Sequence, residues 1–369
     1  MTGKLKVAVL FGGRSGEHEV SLVSARHILD ALDRETYQVV EIGITKAGDW
    51  LVGDGVWQAL REKDQRGLKT AAVLPIPDRT DVYTIETVDH RQVLEVFSEI
   101  DVAFPVLHGT FGEDGTMQGL FDLADIAYVG AGVLGSAVGM DKALFKDVMI
   151  AHEIPVVPSL LFRRSELDEL PAVLEQIEDF ARYPLFVKPA NMGSSVGVHK
   201  CRDIEEVALG LKDAARFDRR VLVELGIDAR EIELSVLGND QPRVSVPGEI
   251  RPADEFYSYQ AKYHDEDSEL LIPAPLSEEK AALFQKLALQ AYRAVDCAGM
   301  ARVDFLMDKE TGQVYLNELN TIPGFTPISM YPKLWEASGM NYGELIDELI
   351  RLARERKAEK DQTVWTYKA

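Results

Sequence analysis

The sequence predicts an α/β protein, α+β overall, that opens with a doubly wound domain built on a parallel sheet. Three observations support this prediction. An apolar run at 7–13 ends in two glycines and leads into a helical pattern, which is the order of a strand, a tight turn and a helix. Two more buried-strand patterns follow at 37–45 and 101–109. Beyond residue 220 short strands come in quick succession, which is typical of antiparallel sheet.

The middle of the chain alternates helical and extended patterns. In order, these are a strand at 126–132, a helix from about Lys142, an extended run at 153–162, a helix at 169–183, strands at 184–189 and 196–201, and a helix at 203–217. Residues 50–95 mix proline, aspartate and short β-prone runs, so no element is assigned to them.

The last part reads as a strand-rich unit closed by helices. It comprises strands at 221–225, 231–238 and 243–250, an irregular acidic stretch at 254–276, a long helix at 277–296, a hairpin at 302–320 and a closing helix at 341–357.

Length and charge limit the classes of function. At 369 residues and 41.0 kDa, two or three domains are expected. The formal net charge of −21 argues against a nucleic-acid partner, which would need a basic surface. The longest uncharged run, 126–140, is glycine-rich and too short to span a membrane, and no signal-peptide pattern is present. Cys201 and Cys297 lie far apart and are interpreted as buried, reduced thiols, so a cytoplasmic protein is expected.

The predicted hairpin RVDFLMDKETGQVYLNELN places two carboxylates opposite each other. A turn near Gly312 places Asp304 opposite Glu318 and Arg302 opposite Asn320, all on one face. Like charges across a ladder are unfavourable, and unpaired carboxylates among apolar neighbours cost several kcal/mol.

Two carboxylates and an amide oxygen form a hard-oxygen set that suits Mg²⁺ carrying substrate phosphates. No Cys/His cluster offers a softer metal a better site. The sequence therefore predicts a magnesium-phosphate site on this hairpin. The alternative is that Arg302 pairs with Asp304 or Glu318 in a solvated network.

A glycine-serine loop, PANMGSSVG, follows Lys188 at a predicted strand end. Gly193 and Gly197 allow a close backbone approach, successive N–H groups can form an anion nest, and Ser194 and Ser195 add hydroxyls. Nucleotide phosphates are the predicted ligand, with a plain hairpin loop as the alternative. The spacing is not that of a Walker loop.

The first loop, LFGGRSGEHEVS, does not have the spacing of a dinucleotide fingerprint. Glu17 suits a cationic group such as a substrate ammonium, whereas Glu19 fits an acidic first helical turn. His108 ends a predicted strand, where α/β sheets bind ligands. Glu113 and Asp114 are interpreted as caps or orienting groups.

With these motifs placed, the chain resembles the D-alanine–D-alanine ligases of the ATP-grasp superfamily. The similarity runs in order through VAVLFGGRSGEHEVS, LHGTFGEDGTMQG, VGMDK, FVKPANMGSSVGV, REIELSVLGN, YSYQAKY, ARVDF and NELNTIPGFTPISMYP, nearly the whole length. Met192 and Thr110 depart from the usual pattern without touching a predicted contact.

The resemblance implies an ATP-grasp fold with ATP held between the second and third of three domains. These are an N-terminal α/β domain at 1–135, a central domain at 136–222 and a C-terminal domain at 223–358, followed by a tail at 359–369. It implies that ATP phosphorylates one D-alanine and that the amine of a second attacks the D-alanyl phosphate, for peptidoglycan precursor synthesis. Two Mg²⁺ ions, with Mn²⁺ as a substitute, and a homodimer are also implied.

The same resemblance implies roles for individual residues. Glu17 receives the ammonium of the first D-alanine near His108, and Ser329 meets the carboxylate of the second. Arg302 and the backbone N–H of Gly324 stabilise the oxyanion.

The nucleotide and its metal account for the remaining roles. Phosphates are held by Lys142, Lys188 and, from the mobile lid loop YSYQAKY, Lys262, while Ser194 and Ser195 lie in the nucleotide loop. Glu224 and Glu231 lie in the adenine-ribose pocket, and Asp304, Glu318 and Asn320 ligate magnesium. Tyr263 of the lid joins a hydrogen-bonded network with Ser194 and Glu17.

Two alternatives to this function stay open. A D-alanine–D-lactate ligase is less favoured, because such relatives usually lack the lysine-tyrosine pair that AKY supplies here. A non-catalytic nucleotide-binding protein of the same fold is the other alternative.

Overall fold

Three β-sheets organise the chain in the computed structural model, which describes residues 3–77, 79–251 and 269–366. The strands in chain order are β1 (Leu5–Gly12), β2 (Tyr37–Ile44), β3 (Trp50–Val52), β4 (Lys69–Val73), β5 (Asp81–Val88), β6 (Arg91–Glu99), β7 (Val102–Val106), β8 (Ala127–Tyr128), β9 (Ser159–Arg163), β10 (Leu185–Pro189), β11 (His199–Cys201), β12 (Arg220–Leu225), β13 (Ala229–Leu237), β14 (Arg243–Val244), β15 (Gly248–Arg251), β16 (Glu269–Leu271), β17 (Met300–Asp308) and β18 (Val314–Asn320).

The α-helices of this described part are α1 (His18–Ala31), α2 (Val56–Glu62), α3 (Thr116–Leu123), α4 (Val133–Met140), α5 (Lys142–Ala151), α6 (Leu170–Phe180), α7 (Ile204–Phe217), α8 (Glu278–Ala294), α9 (Met330–Ala337) and α10 (Tyr342–Lys360). The predicted α/β class is confirmed. None of the helices in the described ranges is both long enough and apolar enough to cross a membrane.

The first sheet has the order β6-β5-β4-β3-β2-β1-β7-β8. Strands β2, β1, β7 and β8 are parallel, as predicted. The stretch that the sequence pattern left unassigned supplies an antiparallel extension, β3 to β6. Its β5–β6 connection is a two-residue turn with left-handed backbone at Asp89 (φ 48°) and His90 (φ 63°), which forces antiparallel pairing.

The last helix of the chain packs on this first sheet. Leu345, Ile346 and Leu349 of α10 share a core with the β1 side chains, and the Tyr37 hydroxyl donates to Asp347 at 2.7 Å. The two ends of the sequence therefore meet in one core.

The second sheet is antiparallel, with the order β11-β10-β12-β9, and its core includes α6 and α7 side chains. The third has the order β16-β15-β13-β17-β18, with β14 paired to β13. The single strand predicted at 243–250 is in fact two, β14 and β15, and the intervening Pro247 lacks the N–H that a continuous ladder needs. Helices α2, α3, α4 and α9 were not expected from the sequence.

The hairpin β17–β18 has the predicted register. Arg302 lies opposite Asn320 and Asp304 opposite Glu318, with an irregularity just after Asp304. Gly312 takes the left-handed backbone (φ 68°) in the turn.

Candidate active site

A cavity of about 2060 Å³ opens where the three sheets meet. It is lined by the loop before α1, the β10–β11 loop, the β12–β13 segment, the β17–β18 hairpin and the segment 321–329. These are the segments in which the sequence places its candidate residues.

Nearly all of the described candidate residues line this cavity. They are Glu17, His108, Lys142, Lys188, Ser194, Ser195, Glu224, Glu231, Arg302, Glu318, Asn320, Gly324 and Ser329. Asp304 lies behind the cavity wall, where its carboxylate accepts hydrogen bonds from Arg302 and Asn320. Lys262 and Tyr263 fall outside the described residues.

Glu17 is buried immediately before α1. The Ser194 hydroxyl donates to its carboxylate, which joins the first loop to the glycine-serine loop. A Cβ at Gly193 would lie 2.7 Å from Glu17 Oε2, and one at Gly109 would lie 2.5 Å from the same atom. The backbones of these two glycines therefore enclose the Glu17 carboxylate, which leaves space beside it for a small ligand group.

Glu113 is a second carboxylate at this end of the cavity. It accepts a hydrogen bond of 2.7 Å from the Gly109 N–H. Burial raises the pKa of Glu113 well above its ordinary value, and the negative charge of Glu17 raises it further. Glu113 thereby holds the Gly109 backbone against Glu17.

His108 fixes the segment that follows β18. Its Nδ1–H donates to the Ile322 carbonyl at 3.0 Å, so that Nε2 accepts from the Ser24 hydroxyl at 3.2 Å. The Ser24 oxygen in turn accepts from the Phe325 N–H at 3.4 Å. Burial lowers the pKa of His108, which keeps the ring neutral for this arrangement. The backbone on both sides of Gly324 is thus anchored.

Glu224 forms a buried cluster with two lysines. Its oxygens lie 2.5 Å from Lys188 Nζ and 3.0 Å from Lys146 Nζ, and Lys146 also donates to the Val157 carbonyl at 2.9 Å. Burial would raise the pKa of Glu224, but the two lysines lower it to about 2. Of the two lysines, Lys188 lines the cavity, and Lys146 lies behind it.

Lys146 is absent from the residues predicted from the sequence. Lys142 and Lys146 are four apart and so share a face of α5, which is the signal that could have identified it. Burial lowers the pKa of Lys146, and Glu224 opposes that shift.

Lys142 bridges the glycine-serine loop and the hairpin. Its Nζ donates to the Met192 carbonyl at 2.7 Å and lies 3.9 Å from Glu318 Oε2. In that loop, Ser194 (φ 49°) and Ser195 (φ 57°) are consecutive left-handed residues, a strained backbone that is typical of ligand-binding loops.

Arg302 is largely buried and lies among acidic groups. It forms a bidentate pair with Asp304 at 2.7 and 2.6 Å, and its Nε lies 3.0 Å from Glu233 Oε2. Burial opposes its charge, but Asp304 and Glu233 raise the pKa of Arg302 well above its ordinary value. The pairing of Arg302 with Asp304 that the sequence left open as an alternative is therefore present, within a buried site.

The hairpin side chains fit a magnesium ion. Asn320 Nδ2 lies 3.0 Å from Asp304 Oδ2 and 3.5 Å from Glu318 Oε1. With the amide turned over, its oxygen would face the two carboxylates, and oxygens of this kind are the ligands that magnesium prefers. Within the described ranges, no group of three or more His, Cys, Asp and Glu side chains is arranged for a metal. Ligation would therefore depend on the amide and on oxygens of a bound phosphate.

Ser329 faces the cavity at the start of α9. Its hydroxyl lies 2.8 Å from Thr326 Oγ1 and accepts from the Thr326 N–H at 3.2 Å. A Cβ at Gly324 would lie 3.0 Å from Ser329 Oγ. A glycine there keeps the 324 backbone close to a hydroxyl that can bind a carboxylate.

The chain is similar to known ligases over nearly its whole length. A family model described as the D-ala D-ala ligase N-terminus matches residues 6–131, and one described as the D-ala D-ala ligase C-terminus matches 148–351. The D-alanine–D-alanine ligase of Heliobacterium modesticaldum is 50% identical over 360 residues, 97% of each chain. That of Thermoanaerobacter sp. strain X514 is 52% identical over 360 residues, 97% of this chain and 98% of the relative.

Two solved structures extend the comparison to the fold. The D-alanine-D-alanine ligase from Coxiella burnetii aligns with a TM-score of 0.83 and 37% identity over 97% of this chain and 96% of that one. The VanG D-Ala:D-Ser ligase from Enterococcus faecalis aligns with a TM-score of 0.83 and 33% identity over 95% of this chain and 100% of that one.

Proposed function

Because the chain belongs to the D-alanine–D-alanine ligase family, we propose that it joins two D-alanine molecules to D-alanyl-D-alanine for peptidoglycan precursor synthesis. ATP is the co-substrate, and ADP and phosphate are released. The observation that carries the proposal is the meeting, in one cavity, of an enclosed carboxylate, cationic side chains and the carboxylate-amide hairpin. The reaction is proposed to take place in the cytoplasm.

Glu17 is proposed to receive the ammonium of the first D-alanine. The glycine backbones at 109 and 193 leave room for a small amino acid beside the carboxylate. The bond from Ser194 keeps Glu17 oriented, and His108 lines the same end of the cavity. Tyr263 of the lid is proposed to complete this network.

The nucleotide is proposed to lie between the second and third sheets. Lys142 and Lys188 approach its phosphates, and Lys262 reaches the γ-phosphate. Ser194 and Ser195 present the loop backbone to the phosphates, while Glu224 and Glu231 line the adenine-ribose side. This arrangement gathers cations locally on a protein with a net charge of −21.

Magnesium is proposed to be held by Asp304, Glu318 and Asn320, where it would neutralise phosphate charge. We propose two such ions, with Mn²⁺ able to replace them. With Asp304 engaged by the metal, Arg302 would keep its contact with Glu233, and its other nitrogens are proposed to serve the reacting carbonyl, because Arg302 also lines the cavity.

The chemistry proceeds in two steps. A carboxylate oxygen of the first D-alanine attacks the γ-phosphorus, and ADP leaves. The amine of the second D-alanine then attacks the acyl carbon, loses its proton, and the C–O bond to phosphate breaks. Arg302 and the Gly324 N–H are proposed to stabilise the tetrahedral oxyanion, and removal of one such donor typically costs about 10²–10³-fold in rate. Ser329 is proposed to bind the carboxylate of the second D-alanine.

The domain organisation, the lid and the oligomeric state are proposed from membership of the family. Three domains at 1–135, 136–222 and 223–358, with a tail at 359–369, enclose the site. The loop at 257–263 closes over it and protects the acyl phosphate from water. The protein is proposed to act as a homodimer.

The specific alternative concerns the second substrate, since a structural neighbour is a D-Ala:D-Ser ligase. Purified protein is incubated with ATP, Mg²⁺, D-alanine and an equal concentration of D-lactate or D-serine, and the products are identified by mass spectrometry. We expect D-alanyl-D-alanine to dominate at neutral pH. A dominant ester or a D-alanyl-D-serine product would replace our assignment.

The same assay tests catalysis itself. D-alanine should stimulate phosphate release from ATP in the presence of Mg²⁺. No stimulation with any divalent ion would favour a non-catalytic nucleotide-binding protein.

A further inference from the structure

Glu233 on β13 is a buried carboxylate at the wall of the cavity. It is 5% exposed, and it lines the cavity, as Arg302 does. A buried carboxylate is unfavourable unless partners or a task offset the loss of water. Glu231, on the same face of the strand, is proposed to line the ribose side, but Glu233 has no comparable role in the reaction.

Three carboxylates lie side by side across the third sheet. Glu233 is opposite Asp304 in the β13–β17 ladder, and Asp304 is opposite Glu318 in the β17–β18 ladder. Directly opposed residues share a face of the sheet, and like charges in such positions repel. Arg302 lies on the same face of β17 as Asp304, so its charge offsets part of this repulsion.

The Nε–H group of Arg302 has two carboxylates within reach. It donates to Asp304 Oδ1 at 2.7 Å, and Glu233 Oε2 lies 3.0 Å from the same nitrogen. This nitrogen carries a single hydrogen, so the two carboxylates compete for it. In this structure Asp304 receives it, together with a second hydrogen bond from Nη2 at 2.6 Å.

Asp304 cannot keep both of these hydrogen bonds and also ligate a metal. The bidentate pair occupies both of its oxygens, and carboxylate oxygens are what magnesium would take. Without a second carboxylate, metal binding would leave the charge of the largely buried Arg302 unpaired, which is strongly unfavourable. Glu233 already lies at hydrogen-bonding distance from Arg302 and can prevent this.

We propose that Glu233 is a positioning residue that accepts the Arg302 Nε–H when magnesium engages Asp304. The exchange keeps Nε held and leaves the two NH₂ groups of the guanidinium for the tetrahedral oxyanion. It also lowers the magnesium concentration that the site needs, because the metal does not leave a buried cation unpaired. The inference rests on the proposed function, since the metal and the oxyanion are those of the ligase reaction.

Glu233→Gln removes the charge and keeps the shape of the side chain. Arg302 is then held more tightly by Asp304, and magnesium must displace it. The magnesium concentration for half-maximal turnover should rise about tenfold, and kcat at saturating magnesium should fall about tenfold, the usual effect of losing a hydrogen bond to a charged group. The KM for ATP at saturating magnesium should change less than about twofold, because Glu233 acts in the transition state through Arg302.

Calorimetric titration of ATP, with and without Mg²⁺, supplies a readout besides activity. The Mg²⁺-dependent gain in ATP affinity should shrink about tenfold in Glu233→Gln. The affinity for ATP without Mg²⁺ should not fall, because a negative charge has been removed from the cavity wall. A purely structural role of Glu233 would lower both affinities together.

Two further variants serve as controls. Glu233→Asp keeps the charge and should restore most of the magnesium response. Glu249→Gln neutralises another buried carboxylate of the same sheet, which pairs with Arg230 at 2.7 Å. It should lower stability and leave the magnesium requirement unchanged. Urea unfolding shows whether each variant is folded under the assay conditions.

A structure of the unmodified protein with Mg²⁺ and a non-hydrolysable ATP analogue tests the exchange without any substitution. We expect the metal on Asp304 and the Arg302 Nε about 2.7–2.9 Å from a Glu233 oxygen, the usual length of a hydrogen bond between charged groups.

Several results would overturn the inference. They are a metal bound away from Asp304, a bidentate pair that persists on Asp304 beside the metal, an unchanged magnesium response in Glu233→Gln, or an equal change in Glu249→Gln. Product formation by the unmodified protein is measured separately, so that a failure of the proposed function is distinguished from a failure of the role of Glu233.

Discussion

At the residue scale, the candidate site depends on buried charges that each have more than one partner. Glu224 contacts two lysines, and Arg302 contacts two carboxylates. Removing one partner leaves the remaining charges held more tightly to each other. Such a change should alter ligand binding before it unfolds the protein.

Lys146→Met tests this expectation. Without Lys146, Glu224 attracts Lys188 alone, so Lys188 is less available to a phosphate. The KM for ATP should rise about tenfold with a smaller change in kcat, and stability should fall by about 1–3 kcal/mol, the usual effect of losing hydrogen bonds to charged groups. Steady-state kinetics and chemical denaturation measure both.

Two variants serve as controls for Lys146. Lys146→Arg keeps the charge and should recover most of the ATP affinity. Lys69→Met removes an exposed pair with Glu86 at 2.8 Å and should leave both quantities unchanged. An unaltered KM in Lys146→Met would show that the cluster does not position Lys188.

Glu113→Gln should change the pH dependence of stability. The folded-state pKa of Glu113 is raised by burial and by Glu17, so the folded protein binds more protons than the unfolded chain above pH 4.5, the ordinary value for glutamic acid. Stability therefore falls as pH rises through this window. Glutamine can still accept from Gly109 and has no proton to lose.

The measurement is the melting temperature of both proteins from about pH 5 to about pH 9. The advantage of Glu113→Gln should grow as pH increases. Asp114→Asn is the control, because it replaces a neighbouring carboxylate of the same loop by an amide. A constant difference across this range would contradict the raised pKa.

At the element scale, the β17–β18 hairpin shows what a sequence can predict. Period-two alternation and the turn at Gly312 predicted Asp304 opposite Glu318, and the structure has this pair. The irregularity after Asp304 was not predicted, and without it Phe305 would lie opposite Asn317 instead of Leu316.

The partners of Lys146 and Ser24 could not be predicted, because Glu224, His108 and Phe325 lie far from them in the chain, although the spacing from Lys142 could have marked Lys146 as a candidate. Strands β3 to β6 were also missed, since their short mixed pattern fits strand and loop equally well.

Glu318→Ala tests the hairpin as a magnesium site. Turnover should fall at least about 10²-fold, as for loss of a preorganised electrostatic group, while the protein stays folded because Glu318 is partly exposed at the cavity wall. Calorimetric titration of ATP with and without Mg²⁺ supplies a readout besides activity. The Mg²⁺-dependent gain in affinity should be lost.

Glu310→Ala, in the exposed turn of the same hairpin, is the control and should behave as the unmodified protein. Retention of full activity and of the Mg²⁺ effect in Glu318→Ala would mean that the metal lies elsewhere.

At the scale of the whole molecule, α10 ties the last part of the chain to the first sheet. Arg356 donates to the carbonyls of Tyr128 and Gly130, and its guanidinium stacks over the Tyr128 ring at 4.3 Å. The apolar side of the same helix lies in the core of the first sheet. The assembly of the three sheets around the cavity thus depends on contacts between the ends of the sequence.

Arg356→Met should lower stability by about 1–3 kcal/mol, because two carbonyls lose a charged donor. Thermal and urea unfolding measure the change. Arg351→Met, on the exposed side of the same helix where it pairs with Glu348, is the matched control and should have little effect. Equal losses of stability in the two variants would show that the contacts of Arg356 with Tyr128 and Gly130 contribute no more than an exposed ion pair does.

The position of α10 has a consequence for synthesis on the ribosome. The strands of the first sheet emerge early, but Leu345, Ile346 and Leu349 complete their core only after α10 has been translated. Until then that side of the sheet is covered only in part, by α1 and α2, and nascent chains with exposed apolar surface are prone to aggregate. Dependence on chaperones and sensitivity to truncation should therefore be greatest at α10, which is translated after all of the candidate site residues.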